Sequence, residues 1–91
     1  MKRYVIEREL PGIGGFNRDQ LKEAAAASNA ALAKLSGTVQ WVESFVVDDQ
    51  TFCVYLAEGE EAVRDHARLS GFPATRIREV RSVIDPMTAI S

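Results

Sequence analysis

Strand-like and helix-like stretches alternate along this sequence in the order β-α-β-β-α-β. Strand patterns cover residues 2–9 and 76–84, a β-hairpin pattern covers residues 39–57, and helical periodicity covers residues 17–35 and 60–70. This order is the split βαβ pattern of the ferredoxin-like sandwich. The sequence therefore predicts an α+β fold in which both helices cover one face of an antiparallel sheet and the other face stays open.

The length of the chain and a proline near its end suggest how the domain is bounded. Ninety-one residues are enough for one small domain. We expect residues 1–84 to form this domain and residues 85–91 to form a C-terminal tail. Since proline disfavours the helical conformation in the residue before it, Asp85 is expected to be extended. The tail would then run along a sheet edge or toward a partner, and could add a short fifth strand after Pro86.

Both helical stretches carry end signals. Asn17 and Gln20 have the spacing of a capping box, and Gly37 follows the first helix where a left-handed residue often ends one. Gly71 has the same place after the second helix. The apolar stripe of the first helix is mostly alanine, whereas the second helix places His66, the one histidine of the chain, on its inward stripe. The sequence thus predicts a first helix that supplies little apolar bulk and a histidine near the core.

The hairpin alternates its side chains without giving either face a plainly polar character. We assign one set of residues to the helix-covered face and the other to the open face. An open face rich in aromatic residues is too apolar for a stable monomer, so we expect a homodimer built through it. The helix-covered set is Val42, Val46, Val54 and Leu56, and the open set is Trp41, Glu43, Phe45, Cys53 and Tyr55.

Charge and cysteine content argue against several classes of protein. A net charge of −2 and a pI near 5.3 leave no basic surface for nucleic acid. The single cysteine cannot form an internal disulfide and fits a reducing cytoplasm. No apolar run is long enough for a membrane span, and the first residues enter a strand pattern rather than a signal peptide. We therefore expect a cytoplasmic protein without nucleic-acid or membrane partners.

The glycine-rich segment at residues 11–15 follows a strand pattern and precedes a helix, as phosphate-binding loops do. It lacks the spacings of the Rossmann and P-loop motifs, and no lysine followed by serine or threonine accompanies it. We interpret this segment as a turn, and the sequence indicates no organic cofactor.

Three glutamates, Glu7, Glu43 and Glu79, lie in the middle of predicted strands. A carboxylate among aromatic side chains is either a solvated edge residue or a group suited to proton transfer, and the sequence leaves both interpretations open. With the neighbouring aromatic and thiol side chains, these glutamates define a candidate pocket. Its members are Glu7, Trp41, Glu43, Cys53, Tyr55 and Glu79.

Candidate metal ligands are few. Divalent metal ions accept imidazole, carboxylate, carbonyl or water ligands in proteins. Because His66 is the one imidazole, a strong site would combine it with distant carboxylates or draw ligands from two subunits. Asp48 and Asp49, in the predicted hairpin turn, could form a shallow site completed by water. An inward His66 is also expected to bond to a carboxylate, hydroxyl or carbonyl group, because an unpaired buried nitrogen costs about 1–3 kcal/mol.

Five segments of the chain resemble a small bacterial family of ferredoxin-like proteins described as nickel-binding. The segments are residues 4–12 (YVIERELPG), 39–48 (VQWVESFVVD), 52–57 (FCVYLA), 62–74 (AVRDHARLSGFPA) and 77–80 (IREV). The resemblance implies a ferredoxin-like fold and a cytoplasmic dimer that sequesters nickel at its surface. It does not place metal ligands on particular positions of this chain.

Three functional hypotheses follow. The first, favoured by the resemblance, is a protein that binds nickel or another divalent metal for sequestration or detoxification. The second is a small enzyme or ligand carrier, similar to dimeric α+β-barrel proteins, that uses a pocket on the open sheet face with a glutamate or His66 as acid or base. The third is an interaction module whose open face docks another protein. The residues alone do not decide whether a reaction is catalysed.

Overall fold

The computed structural model describes residues 1–90, which form a four-stranded sheet packed against two helices. The elements are β1 (Lys2–Glu9), α1 (Arg18–Ala33), β2 (Val39–Val46), β3 (Gln50–Ala57), α2 (Glu60–Ser70) and β4 (Arg76–Glu79), with short 3-10 turns at Ile13–Gly15 and Pro86–Ala89. Every strand pairing is antiparallel, and the strand order is β2-β3-β1-β4. The predicted α+β, ferredoxin-like arrangement is confirmed.

The predicted start of α1 and the predicted end of α2 are present. The backbone N–H of Asn17 donates to the side chain of Gln20 and the N–H of Gln20 donates to the side chain of Asn17, each at 2.9 Å, which closes the capping box of α1. Gly71, with φ of 79°, ends α2 in the left-handed conformation. α1 ends at Ala33, two residues earlier than predicted, and the left-handed pair Ser36 and Gly37 then turns the chain toward β2.

A bulge in β2 changes which of its side chains share a face. Trp41 and Glu43 pair with successive residues of β3, so Val42 has no partner there. The indole Nε1 of Trp41 donates a 2.9 Å hydrogen bond to Oγ of Ser44 across this irregularity. The extra residue brings Trp41 and Ser44 to the same side of the sheet, although a regular strand would place them on opposite sides.

The predicted faces of the hairpin were partly wrong. Trp41, Cys53 and Tyr55 lie on the helix-covered face, where Cys53 and Tyr55 are buried beside Tyr4 and Ile6. The alanine-rich stripe of α1 leaves space above the sheet. The larger side chains of β2 and β3 occupy part of it, since a protein interior tolerates few voids. The residues that the prediction had placed under the helices, Val54 and Leu56, consequently lie on the open face.

Other face assignments were correct. Glu43 and Phe45 lie on the open face, and Val46 lies on the helix-covered side, paired with Thr51. Val42, in the bulge, is exposed. The open face is therefore still apolar, but Phe45, Val54 and Leu56 give it that character rather than Trp41 and Tyr55.

The segment after the sheet differs from its prediction. β4 ends at Glu79 instead of continuing to residue 84, and the backbone N–H of Val80 makes one more bond, to the carbonyl of Arg3. Asp85 is extended, as predicted, but its side chain caps the 3-10 turn Pro86–Ala89. Residues 1–90 therefore contain no fifth strand, since the capped turn takes its place. In the same range, neither helix has the length and apolar character that crossing a bilayer requires.

Candidate functional site

A cavity of about 230 Å³ lies between the sheet and α1. Its wall is mostly apolar, because the first helix presents alanines to it and the strands present aromatic and aliphatic side chains. Apolar contributors include Ile13, Leu21, Ala24, Ala25, Trp41 and Phe72. Polar contributors are Arg8, Ser28, Ser44, Thr51, Cys53 and Tyr55. A largely apolar cavity with a few convergent polar groups is the usual form of a small-molecule site.

Arg8 is the charged member of this group and is only 2% exposed. Its Nη1 donates to the carbonyl of Pro73 at 2.7 Å and to that of Phe72 at 3.4 Å, and its guanidinium carbon lies 5.8 Å from the ring centre of Tyr55. Its Nη2 is buried without a hydrogen-bond partner. The guanidinium is thus positioned by two neutral carbonyl groups and an uncharged ring. Since arginine stays protonated in proteins, its positive charge is buried.

His66 lies behind Tyr55 in the core and is 1% exposed. Its Nε2 lies 3.1 Å from Oγ of Ser28, and its ring centre lies 5.0 Å from that of Tyr55. The expected hydroxyl partner is therefore present, whereas Nδ1 is buried with no partner. Burial lowers the pKa of His66, the positive charge of Arg8 lowers it further, and a hydrogen bond with the backbone of Ser28 opposes both effects. The imidazole is consequently neutral at pH 7.

Tyr55 lies between these two groups and is also buried. Burial raises the pKa of its phenol, and the Arg8 guanidinium opposes that rise. Cys53 is the next inward residue of β3, and its Sγ lies 3.4 Å from Oγ1 of Thr51. The phenol is therefore a protonated hydrogen-bonding group at neutral pH.

The predicted pocket residues divide between the two sides of the sheet. Trp41, Cys53 and Tyr55 line the cavity, but on the helix-covered side. Glu7 and Glu43 lie on the open face, so the structure does not bring them to the cavity. Oε2 of Glu7 lies 3.7 Å from Nε of Arg78 and 3.8 Å from Nε of Arg76, both on the neighbouring strand β4.

The third glutamate, Glu79, lies on the edge strand β4. It forms ion pairs with Lys2 at 3.8 Å and with Arg81 at 3.6 Å. Like Glu7 and Glu43, it does not line the cavity. Glu43 and Glu79 are therefore exposed, whereas Glu7 is half-buried on the open face and its Oε2 is buried without a hydrogen-bond partner.

The predicted metal-ligand residues are placed in different surroundings. Asp49, in the hairpin turn, accepts a 2.9 Å hydrogen bond through Oδ1 from the backbone N–H of Gly12. Asp48 beside it is exposed and accepts a bond from Gly14 through its backbone carbonyl. Among residues 1–90, no three histidine, cysteine or acidic side chains are grouped so that they could hold a metal ion. His66, Asp48 and Asp49 do not form one site within a chain.

Sequence reasoning missed Arg8 and Ser28. The signal for Arg8 was available, because it continues the even-numbered set of β1 whose members Tyr4 and Ile6 are apolar and inward. Because β1 continues past residue 8, an arginine there points to the same buried side as Tyr4 and Ile6. Ser28 was on the inward stripe of α1, but nothing in the sequence paired it with His66.

Comparison with known proteins assigns the chain to a family. The profile of the family described as "Nickel responsive protein SCO4226-like" matches residues 4–80. The crystal structure of SCO4226 from Streptomyces coelicolor A3(2) superposes with a TM-score of 0.73 at 24% identity, covering 90% of this chain and 99% of that one. At this identity the likeness concerns the fold. A search of curated proteins found no match. On the profile match over residues 4–80, this chain belongs to the SCO4226-like family of nickel responsive proteins.

Proposed function

We propose that this protein binds nickel and that its role is to sequester the ion. The observation that carries the proposal is the match of residues 4–80 to a family described as nickel responsive. A nickel response requires some component that contacts the ion. The carboxylates of this acidic chain have the ligand chemistry that nickel accepts together with water.

The arrangement of side chains favours shallow or shared sites over an enclosed one. Residues 1–90 contain no three-ligand group, and the imidazole of His66 is buried with Nε2 bonded to Ser28. We infer that Asp48 is a first ligand at the hairpin turn, where Asp49 is adjacent and water completes the coordination. His66 is the weaker of the candidate ligands, because exposing it would disrupt the core.

A homodimer would add ligands from a second chain. Phe45 is 55% exposed on the open face, where it pairs with the partly buried Phe52, and Val54 and Leu56 continue the same face along β3. An apolar sheet face of this kind is stabilised when a partner covers it. In a two-fold dimer, each residue of that face meets the same face of its partner. Glu7 and Glu43 of both copies would then lie within one interface, where they increase the number of available carboxylates.

Calorimetric titration of tag-free, chelator-treated protein with nickel chloride tests the proposal. We expect saturable binding that Asp48→Asn weakens about tenfold, which corresponds to 1.4 kcal/mol. Glu23→Gln removes an exposed carboxylate of α1 and is the matched control. His66→Phe should bind nickel as the wild type does. Absence of binding by the wild-type protein would contradict the proposal, and equal losses in the Asp48 and Glu23 variants would exclude the hairpin as the site.

A further inference from the structure

The cavity under α1 has the size and wall of a site for a small organic molecule. Its volume of about 230 Å³ exceeds the roughly 150 Å³ of an engineered apolar cavity that binds benzene. Ala24 and Ala25 form the helix side of the cavity, and Trp41 and Phe72 contribute aromatic surface. An aromatic or cyclic aliphatic body therefore fits the space and the chemistry of the wall.

Arg8 supplies a charge that the protein leaves without a counterion. None of the ion pairs formed within residues 1–90 includes Arg8. Its hydrogen bonds go to two backbone carbonyls through Nη1, and Nη2 has no partner. A buried charge is costly unless an opposite charge and hydrogen bonds compensate it. An anion that reached the guanidinium would therefore stabilise this arrangement.

The position of Arg8 is well defined, as recognition of a carboxylate requires. The carbonyl groups of Phe72 and Pro73 hold one side of the guanidinium and the ring of Tyr55 lies beside it. Guanidinium groups bind carboxylates through two parallel hydrogen bonds, and burial strengthens such charge-assisted bonds. Ser28 and Tyr55 add hydroxyl groups to the same wall.

We propose that this cavity binds a small monocarboxylic acid with a compact apolar body, whose carboxylate pairs with Arg8. The acid's ring or branched chain packs against the alanines of α1 and the indole of Trp41. This site is separate from the hairpin carboxylates proposed to bind nickel and does not depend on them.

Trp41 is the single tryptophan of the chain and lines the cavity, so its fluorescence reports occupancy directly. The probe is cyclohexanecarboxylate, which does not absorb where tryptophan does, and the matched neutral probe is cyclohexanecarboxamide. Titrations are made on the full chain with EDTA present, so that metal binding makes no contribution. We expect a saturable change with the acid and binding about tenfold weaker with the amide.

Variants separate the charge of Arg8 from the shape of the cavity. Arg8→Met should lower the affinity for the acid at least about tenfold and leave that for the amide unchanged. Arg3→Met, on the exposed side of the same strand, is the control. Ala25→Leu fills the cavity and should abolish the response to both probes. Equal affinity of the wild-type protein for acid and amide, or no response to either, overturns the proposal even if Arg8→Met fails to fold.

Discussion

Ser28 on α1 and His66 on α2 are joined by a hydrogen bond of 3.1 Å between Oγ and Nε2, which links the two helices inside the protein. Both side chains are buried, and Nδ1 of the imidazole has no hydrogen-bond partner. The hydroxyl of Ser28 thus replaces one of the hydrogen bonds that the imidazole would make with water in the unfolded chain. This pairing makes the helix layer sensitive to substitutions that a purely apolar layer would tolerate.

Ser28→Ala should lower the free energy of unfolding by about 1–3 kcal/mol, because it leaves the buried imidazole without its hydrogen-bond partner. Urea denaturation followed by circular dichroism measures the change. Asn29→Ala, at the exposed neighbouring position, is the control and should change stability by less than about 0.5 kcal/mol. Combining Ser28→Ala with His66→Phe gives a double-mutant cycle. Additive effects of the two substitutions would show that the hydrogen bond contributes no coupling.

The stability of the protein should fall as the pH is lowered from 7 toward 5. Burial first, and then the positive charge of Arg8, lower the pKa of His66 below its ordinary value of 6.5. The unfolded chain therefore takes up a proton near pH 6.5 that the folded protein does not bind, and acid favours unfolding. This one group contributes up to about 1.4 kcal/mol per pH unit.

Urea unfolding at pH 7, 6 and 5 measures that dependence. His66→Phe keeps every carboxylate and removes only the imidazole, so it should show a smaller loss of stability over the same range. An identical pH dependence in the variant would show that the surface carboxylates account for all of it.

Gly14→Ala should destabilise the protein by about 1–3 kcal/mol, the range of overpacking effects. A Cβ at this position would lie 2.8 Å from Cα of Asp48 and 2.8 Å from the carbonyl oxygen of Val47, and backbone atoms cannot move aside cheaply. Gly15→Ala is the matched control, since no atom beyond its two chain neighbours lies within 4 Å of the position that its new methyl group would take. Thermal unfolding of both variants measures the difference. Equal melting temperatures would mean that the hairpin turn yields easily.

Phe45→Lys should convert the proposed dimer into a monomer, because it replaces an apolar side chain that is 55% exposed on the open face with a charged one. Sedimentation velocity at tens of micromolar protein measures the mass of the wild type and the variant. Val83→Lys changes an exposed residue outside the sheet and should leave the assembly unchanged. A wild-type protein that sediments as a 10.0 kDa species would contradict the dimer proposal.

The fold was predictable because its signals are local. The capping box at Asn17, the glycine after α2 and the alternating strands each depend on a few neighbouring residues. The face of each strand was harder to predict. Period-two reasoning cannot detect a bulge, and the unpaired Val42 moved Trp41 and Ser44 to one side of the sheet. β3 is regular, but both of its faces carry apolar side chains, so the alternation did not show which side chains point toward the helices.

The candidate site was predictable only in part, because it depends on distant contacts. Trp41, Cys53 and Tyr55 were selected from the sequence, but their side of the sheet follows from how α1 packs. The partners of Arg8 are 64 and 65 residues away, and Ser28 is 38 residues from His66. No local pattern encodes such pairs, although the inward position of Arg8 in β1 was visible.

The two edges of the sheet determine how copies of this protein can meet. β2 is bulged at one edge, and β4, at the other, has only four residues and carries Arg76 and Arg78. Bulged, short and charged edges resist the addition of further strands. Growth of a continuous intermolecular sheet is therefore disfavoured. The apolar open face remains as the surface through which two copies would associate. In the proposed dimer, pairing of two such faces would cover both surfaces at once, so association would stop at a closed particle and would not propagate into a fibre.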